Sequence, residues 1–197
     1  METNQKKTGL FFGSFNPIHI GHLAIASYMI EFSDLSELWF VVSPHNPLKE
    51  KSSLLADHHR LALVNIAIAD DPRFRVSDIE FKLSQPSYTI DTLTYLQEKY
   101  PERQFVLAGG TDMLPSLHKW KNWEAILEYY RLYLYPRHES DNHELTKHTS
   151  VTLVNAPRIE ISSSFIRESI RKKKNMAYFL PEKVNEYIRE MHFYEKK

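Results

Sequence analysis

Residues 11–22, Phe11-Phe12-Gly13-Ser14-Phe15-Asn16-Pro17-Ile18-His19-Ile20-Gly21-His22, join two apolar segments of different character. Thr8 to Phe12 is a short apolar run that stops at Gly13, the pattern of a buried strand. Ile20 to Phe32 is apolar on almost every side and holds no proline, the pattern of a helix buried on most of its faces. A strand, a tight turn and a buried helix open a βαβ unit. The same alternation continues along the chain. Strands are expected at 38–42 (LWFVV, stopped by Ser43-Pro44), 74–80, 105–108, 132–135 and 151–154. Helices are expected at 57–69, 89–100, 123–130, 163–173 and from Pro181 onward, where Val184, Tyr187, Ile188 and Met191 keep i, i+3, i+4, i+7 spacing. The stretch 137–150 is polar and aperiodic and reads as a surface loop. The expected fold class is therefore α/β: a Rossmann-like, doubly wound, mainly parallel sheet flanked by helices. One domain is expected over 1–197, with a small helical C-terminal part from about residue 162.

Composition narrows the functions. Lys plus Arg and Asp plus Glu both number 25, so the formal net charge is zero. No global field recruits nucleic acid or an anionic membrane, and small-molecule substrates are favoured over polyanions. The chain has no cysteine, which excludes disulfides, thiolate nucleophiles and cysteine zinc sites. The N-terminal residues METNQKKTGLFF lack the apolar stretch of a signal peptide, and no segment approaches the ~20 apolar residues of a membrane span. A cytoplasmic protein is expected. Oligomeric state leaves no mark in the sequence.

In an open parallel sheet, ligands bind beyond the C-terminal strand ends. Gly13 and Gly21 take two of only five glycines for the first turn. Gly13 is expected to let the backbone turn sharply beside a ligand. The helix N-terminus offers unpaired N–H groups and a positive dipole end, which suit phosphate. His19 and His22 lie about one helical turn apart and can address one ligand. Such a pair can donate hydrogen bonds to a triphosphate and, if protonated, offset its charge. A second anion site is expected at Ser162-Ser163-Ser164, where serines cap a late helix and Arg167 brings a planar, two-pronged donor set. His138, His143 and His148 have no standard ligand spacing, so no protein metal site is expected.

The stretch GSFNPIHIGH resembles the GxFxPxHxGH signature of the nucleotidyltransferase superfamily, which shares its HxGH element with class I aminoacyl-tRNA synthetases. Synthetases also carry a KMSKS-type lysine loop and an anticodon-binding domain, and this chain has neither. Over its full length the chain is similar to the bacterial nicotinate-nucleotide adenylyltransferases. The resemblance implies transfer of AMP from ATP, the co-substrate, to nicotinate mononucleotide, with Mg²⁺ carried by the nucleotide. It implies ATP contacts from Gly13, Ser14, Phe15, His19, Gly21, His22, Ser162, Ser163, Ser164 and Arg167. The last four lie in ISSSFIR, similar to the family's ISxTxxR, with Ser164 in place of the usual threonine. His19, His22, Arg167 and Lys49 (in HNPLKEK, similar to the family's PPHK-type loop) would serve catalysis. Ser87-Tyr88-Thr89, matching the family's SYT-x-x-T, and Trp120 would hold the nicotinate moiety, with Asp112 of GGTD between the two substrates. An indole face attracts a cationic pyridinium ring. Nicotinamide mononucleotide or pantetheine phosphate as acceptor, cytidylyl transfer, and a non-catalytic nucleotide sensor are the alternatives. Asn16 departs from the aspartate common in the superfamily, and Lys121 stands where some relatives have tyrosine.

Overall fold

A computed structural model describes residues 6–44, 54–137 and 142–195. Six strands form one sheet: β1 (Lys6–Gly13), β2 (Glu37–Val42), β3 (Phe74–Ser77), β4 (Arg103–Gly110), β5 (Arg131–Tyr135) and β6 (Val151–Leu153). Their order is β3-β2-β1-β4-β5-β6 and all five pairings are parallel. The connecting helices are α1 (Ile20–Glu31), α2 (Asp57–Ile68), α3 (Ile79–Lys82), α4 (Thr89–Lys99), α5 (Leu114–Leu117), α6 (Trp123–Tyr129), α7 (Ser163–Arg171) and α8 (Glu182–Glu190).

Strand side chains alternate between the two faces of the sheet, so the core is double. Phe11, Leu38, Phe40, Val42, Val106, Ala108, Tyr133 and Tyr135 pack on the face that α1, α2, α7 and α8 cover. Leu10, Trp39, Val41, Phe105, Leu107, Leu132 and Leu134 pack on the other, with α4 and α6. Ile166 of α7 and Val184 and Ile188 of α8 join the first cluster, so the C-terminal helices are tied to the sheet. No helix of the described residues is long and apolar enough to cross a membrane.

Four local expectations change. Residues 74–80 are extended only as far as Ser77; Ile79 and Glu80 are buried and Lys82 pairs with Asp78 at 2.9 Å, closing a helical turn instead. The fourth strand runs two residues past Ala108, and Gly109 and Gly110 are its last two residues, in register with Leu134 and Tyr135 of β5. The polar loop after Arg137 contains a 3-10 turn at Glu144–Lys147, capped by His143 Nδ1 accepting from the Leu145 N–H at 3.3 Å. α1 buries one face (Gly21, Ile25, Ala26, Met29, Ile30), while Ala24 and Glu31 face solvent.

The order of strands reverses between β1 and β4. At such a switch point the following connections leave for opposite faces and a crevice opens at the C-terminal strand ends.

Candidate active site

That crevice is a cleft of about 690 Å³. Its floor is Phe11–Gly13 at the end of β1 and Leu107–Gly110 at the end of β4. Its walls include Ser14, Phe15, Asn16, His19, His22, Asp112, Arg137 and the α7 start with Ser162, Ser163, Ser164 and Arg167. The turn expected from FFGSFNPIHIGH and the serine-capped helix therefore meet in one cavity, although about 140 residues separate them.

The sharp turn is made by a different residue from the one expected. No glycine has positive φ; Phe15 does, at 43°. Gly13 serves a close approach instead: a Cβ there would lie 2.8 Å from Phe15 Cζ. The Phe15 ring, fully buried, packs edge-on beneath His22 at 5.2 Å. A bulky residue in the left-handed region stores strain, which the surrounding packing must hold. Gly21 does not line the cleft. Its missing Cβ makes room for the His19 ring, whose Nδ1 would stand 3.1 Å away, and for Ile159.

The two histidine rings stack 3.6 Å apart. His22 Nδ1 accepts from the His19 backbone N–H at 3.2 Å, which leaves the His22 ring proton on Nε2 as a donor. His19 is 3 % exposed and its Nδ1 is buried without a hydrogen-bond partner. Burial, with the nearby Arg137 guanidinium second, lowers its pKa from 6.5 to about 4. The condition set on charge compensation, a protonated histidine, is therefore not met at His19: at neutral pH the ring is neutral and acts as a polar wall. The consequence for stability has a definite sign. The unfolded chain binds the proton first, so stability is full above pH 6.5 and falls as pH drops towards about 4. The loss attributable to His19 is about 3 kcal/mol. Urea midpoints at pH 7.5 and pH 4.5 should show it, and His19→Gln should flatten the slope by that amount.

Each serine of the ISSS stretch has a separate task. Ser162 Oγ caps α7 by accepting from the Phe165 N–H at 3.1 Å, Ser163 Oγ donates to the Pro17 carbonyl at 2.8 Å, and Ser164 Oγ accepts from Arg167 at 3.2 Å. Arg167 also donates to the Asn16 carbonyl at 2.8 Å. It thus spends two of its five N–H donors on the protein and lines the cleft with the remainder of its fork. Asn16 stands at a crossing point: its Oδ1 accepts from the Leu55 N–H at 3.3 Å and from the Tyr194 hydroxyl at 2.8 Å. Both donors need an oxygen there, and asparagine supplies it without charge.

Asp112 is exposed at the end of β4, 3.7 Å from Arg137. Gly110 allows this arrangement, since a Cβ would fall 2.3 Å from Asp112 Oδ1. Arg137 is held through its backbone N–H, which donates to the buried Thr111 hydroxyl at 2.7 Å.

Ser87, Tyr88, Thr89 and Trp120 do not line this cleft but cluster at the neighbouring strand ends. α4 has no side-chain cap: Tyr88 occupies the cap position and Thr89 is the first helical residue. Lys121, next to Trp120, reaches Asp91 of α4 at 2.8 Å and lies over the Tyr88 ring at 4.9 Å. The Trp120 loop and the α4 start are thereby pinned together. Trp120 and Trp123 both pack against the second core cluster. Thr92, the last residue of SYT-x-x-T, is fully buried and donates to Glu80 at 3.1 Å, so its hydroxyl faces the protein interior. Lys49 and His138 lie outside the described residues. His148 Nδ1 accepts from the Ser150 N–H at 3.3 Å, a turn contact like that of His143.

Two supporting residues, Arg137 and Glu80, escape sequence reasoning, and a third, Arg60, reads from its place in the helix after the 46–56 loop only as a salt-bridging or supporting residue. Arg137, placed in a surface loop by its polar context, lines the cleft. Glu80, 3 % exposed, takes hydrogen bonds from Ser43, Ser87 and Thr92, and burial raises its pKa. It joins the end of β2 to the SYT segment. Arg60, fully buried, donates to the carbonyls of Ser14 (2.7 Å), Ser43 (2.6 Å), Pro44 (2.7 Å) and Leu55 (3.1 Å) and to Asp57 (2.5 Å). It cross-links the loops after β1 and β2. A glutamate in a polar segment or an arginine in a helix carries no sequence signal for such distant partners.

A cleft at a Rossmann-type switch point, built from a histidine-bearing helix start and an arginine-bearing second helix start, defines a nucleotide-handling site. The comparisons agree with that class. Residues 10–169 match the cytidylyltransferase-like family. The chain is 54 % identical over 192 residues to a Flavobacterium psychrophilum protein named "Probable nicotinate-nucleotide adenylyltransferase", covering 96 % of this chain and all of that one. A Bacteroides thetaiotaomicron protein of the same name is 49 % identical, with 96 % and 94 % covered. The chain belongs to the nicotinate-nucleotide adenylyltransferases of the cytidylyltransferase-like family. Its fold is also that of the Plasmodium falciparum nicotinic acid mononucleotide adenylyltransferase solved with NaAD, at a TM-score of 0.81, 22 % identity, and 96 % and 97 % coverage.

Proposed function

We propose that this chain transfers the adenylyl group of ATP to nicotinate mononucleotide, a step of NAD biosynthesis. The observation that carries the reading is full-length similarity at about half identity to proteins named for this activity, on a chain whose cleft carries the HxGH turn and the ISSSFIR helix. A phosphate oxygen of the acceptor attacks the α-phosphorus of ATP. The bond to the β-phosphate breaks, pyrophosphate leaves, and nicotinate adenine dinucleotide remains. The acceptor phosphate is already ionised, so no side-chain nucleophile is required. The protein aligns the two phosphates and stabilises the oxygens that gain charge.

In this reading His22 Nε2–H, His19, Lys49, Arg167 and the open N–H groups of α1 and α7 receive the triphosphate. Gly13, Ser14, Phe15 and Gly21 shape that wall, and Ser162, Ser163 and Ser164 set α7. Asp112 and Arg137 sit between the two substrates. The described residues offer no group of three metal-ligating side chains, and Asp112 is the sole carboxylate on the described cleft lining. This donor set fits Mg²⁺ carried by the nucleotide, whose chemistry is to shield phosphate charge.

Ser87, Tyr88, Thr89 and Trp120 form the acceptor side. The uncapped first turn of α4 can receive the nicotinate carboxylate, and Trp120 the pyridinium ring. Trp120→Ala is expected to raise KM for nicotinate mononucleotide about 10- to 30-fold, with KM for ATP within twofold. Initial rates with each substrate varied in turn check this. Equal rises in both constants would remove Trp120 from the acceptor side.

A further inference from the structure

Residues 191–195 follow α8 and return over α2 to the back of the cleft. Two non-glycine residues in this short stretch, His192 and Tyr194, have positive φ, at 52° and 65°. Such a backbone is adopted only where packing holds it. Here Phe193 packs edge-on against His59 of α2 at 4.7 Å, and Phe193 and Tyr194 both join the core that α1, α2 and α7 share with the sheet. The Tyr194 hydroxyl then donates to Asn16 Oδ1 at 2.8 Å. Its surroundings include the guanidinium groups of Arg60 and Arg167. Burial holds its pKa far above the ordinary tyrosine value, so the hydroxyl remains a donor throughout the physiological range.

Asn16 is the residue through which this contact reaches the site. It lines the cleft, it follows Phe15 at φ 43°, and its carbonyl accepts from Arg167 at 2.8 Å. We propose that Tyr194 is a positioning residue: by fixing Asn16 it holds the Phe15–Pro17 turn and the Arg167 guanidinium in the arrangement that receives the ATP phosphates. Tyr194 does not itself line the cleft, and its hydrogen bond reaches the site through Asn16. The assignment of this wall to ATP rests on the function proposed above.

The test is a double-mutant cycle on Tyr194→Phe and Asn16→Ala, with Phe193→Leu as control. Phenylalanine keeps the ring and removes one hydrogen bond. Tyr194→Phe is expected to raise KM for ATP, and the dissociation constant of α,β-methylene-ATP, about 5- to 10-fold. KM for nicotinate mononucleotide should stay within twofold. In the Asn16→Ala background, Tyr194→Phe should add little, because the shared partner is already gone. Phe193→Leu should leave both ATP constants unchanged even where it lowers the melting temperature. Unchanged ATP constants in Tyr194→Phe, additive effects in the cycle, or an equal effect from Phe193→Leu would each overturn the proposal. A wild-type chain that releases no pyrophosphate from these substrates would instead overturn the proposed function. The binding constants of the analogue would still decide the role of Tyr194.

Discussion

Replacing His22 by alanine is expected to lower kcat for pyrophosphate release by about 10²- to 10³-fold, the loss typical of one preorganised donor to a developing oxyanion. The reason lies in how the ring is held. Its Nδ1 is committed to the His19 backbone N–H at 3.2 Å, Phe15 supports it edge-on at 5.2 Å, and His19 stacks on its face at 3.6 Å. Nε2–H therefore points in one direction before substrate arrives, and no reorganisation is needed when charge builds on the phosphate. KM for both substrates should change much less than kcat, because the donor matters most where charge develops. The melting temperature should shift by only a few degrees, since His22 is half-buried at the cleft rim. Steady-state rates and a thermal melt on the same preparation check both parts. A loss of less than fivefold in kcat would remove His22 from the chemical step.

Arg60→Ala carries the largest expected effect on stability. Its guanidinium is fully buried and satisfies four backbone carbonyls, those of Ser14, Ser43, Pro44 and Leu55. Alanine leaves those oxygens without their donor and opens a cavity, and Asp57 loses its partner. Asp57 is 47 % exposed and is rehydrated, so the cost comes from the buried carbonyls, at about 1–3 kcal/mol for each one left unsatisfied. Arg60→Lys keeps the charge but not the planar fork, so an intermediate loss is expected. Urea unfolding with an unchanged m value measures both. Loss of less than about 1 kcal/mol in Arg60→Ala would mean that water replaces the guanidinium without penalty. The same substitution frees the loop after β1, so activity should fall along with stability.

These two residues mark how far the sequence can be read. The turn at 11–22 was legible because several signals coincide over a few residues: a strand pattern, two glycines, two histidines one turn apart and a helix pattern. The ISSSFIR helix start was legible for the same reason. The parallel sheet followed from the alternation of strand and helix patterns, each local. Arg60 is legible only as a salt-bridging or supporting residue, a role its pair with Asp57 fits; its links between loops are not, since three of its carbonyl partners lie 16, 17 and 46 residues away. Glu80 and Tyr194 also work through distant partners, the latter 178 residues from Asn16. The sharp turn reads as a role of Gly13 because glycine is the residue most tolerant of unusual backbone geometry. The fold places the positive φ at Phe15 instead, and keeps Gly13 small so that the Phe15 ring can lie against it. The charge of His19 is left open by the sequence because burial, which lowers its pKa, cannot be read from its neighbours. Lys121, which stands where some relatives have tyrosine, joins the Trp120 loop to α4 through Asp91 and Tyr88, partners its sequence neighbours do not announce.

The most direct test of the central claim is pyrophosphate release from ATP and Mg²⁺, with nicotinate mononucleotide, nicotinamide mononucleotide and phosphopantetheine offered in turn. Rapid release is expected with the nicotinate nucleotide, with nicotinate adenine dinucleotide formed in equal amount. Release with phosphopantetheine alone, or none with any acceptor, would contradict the account.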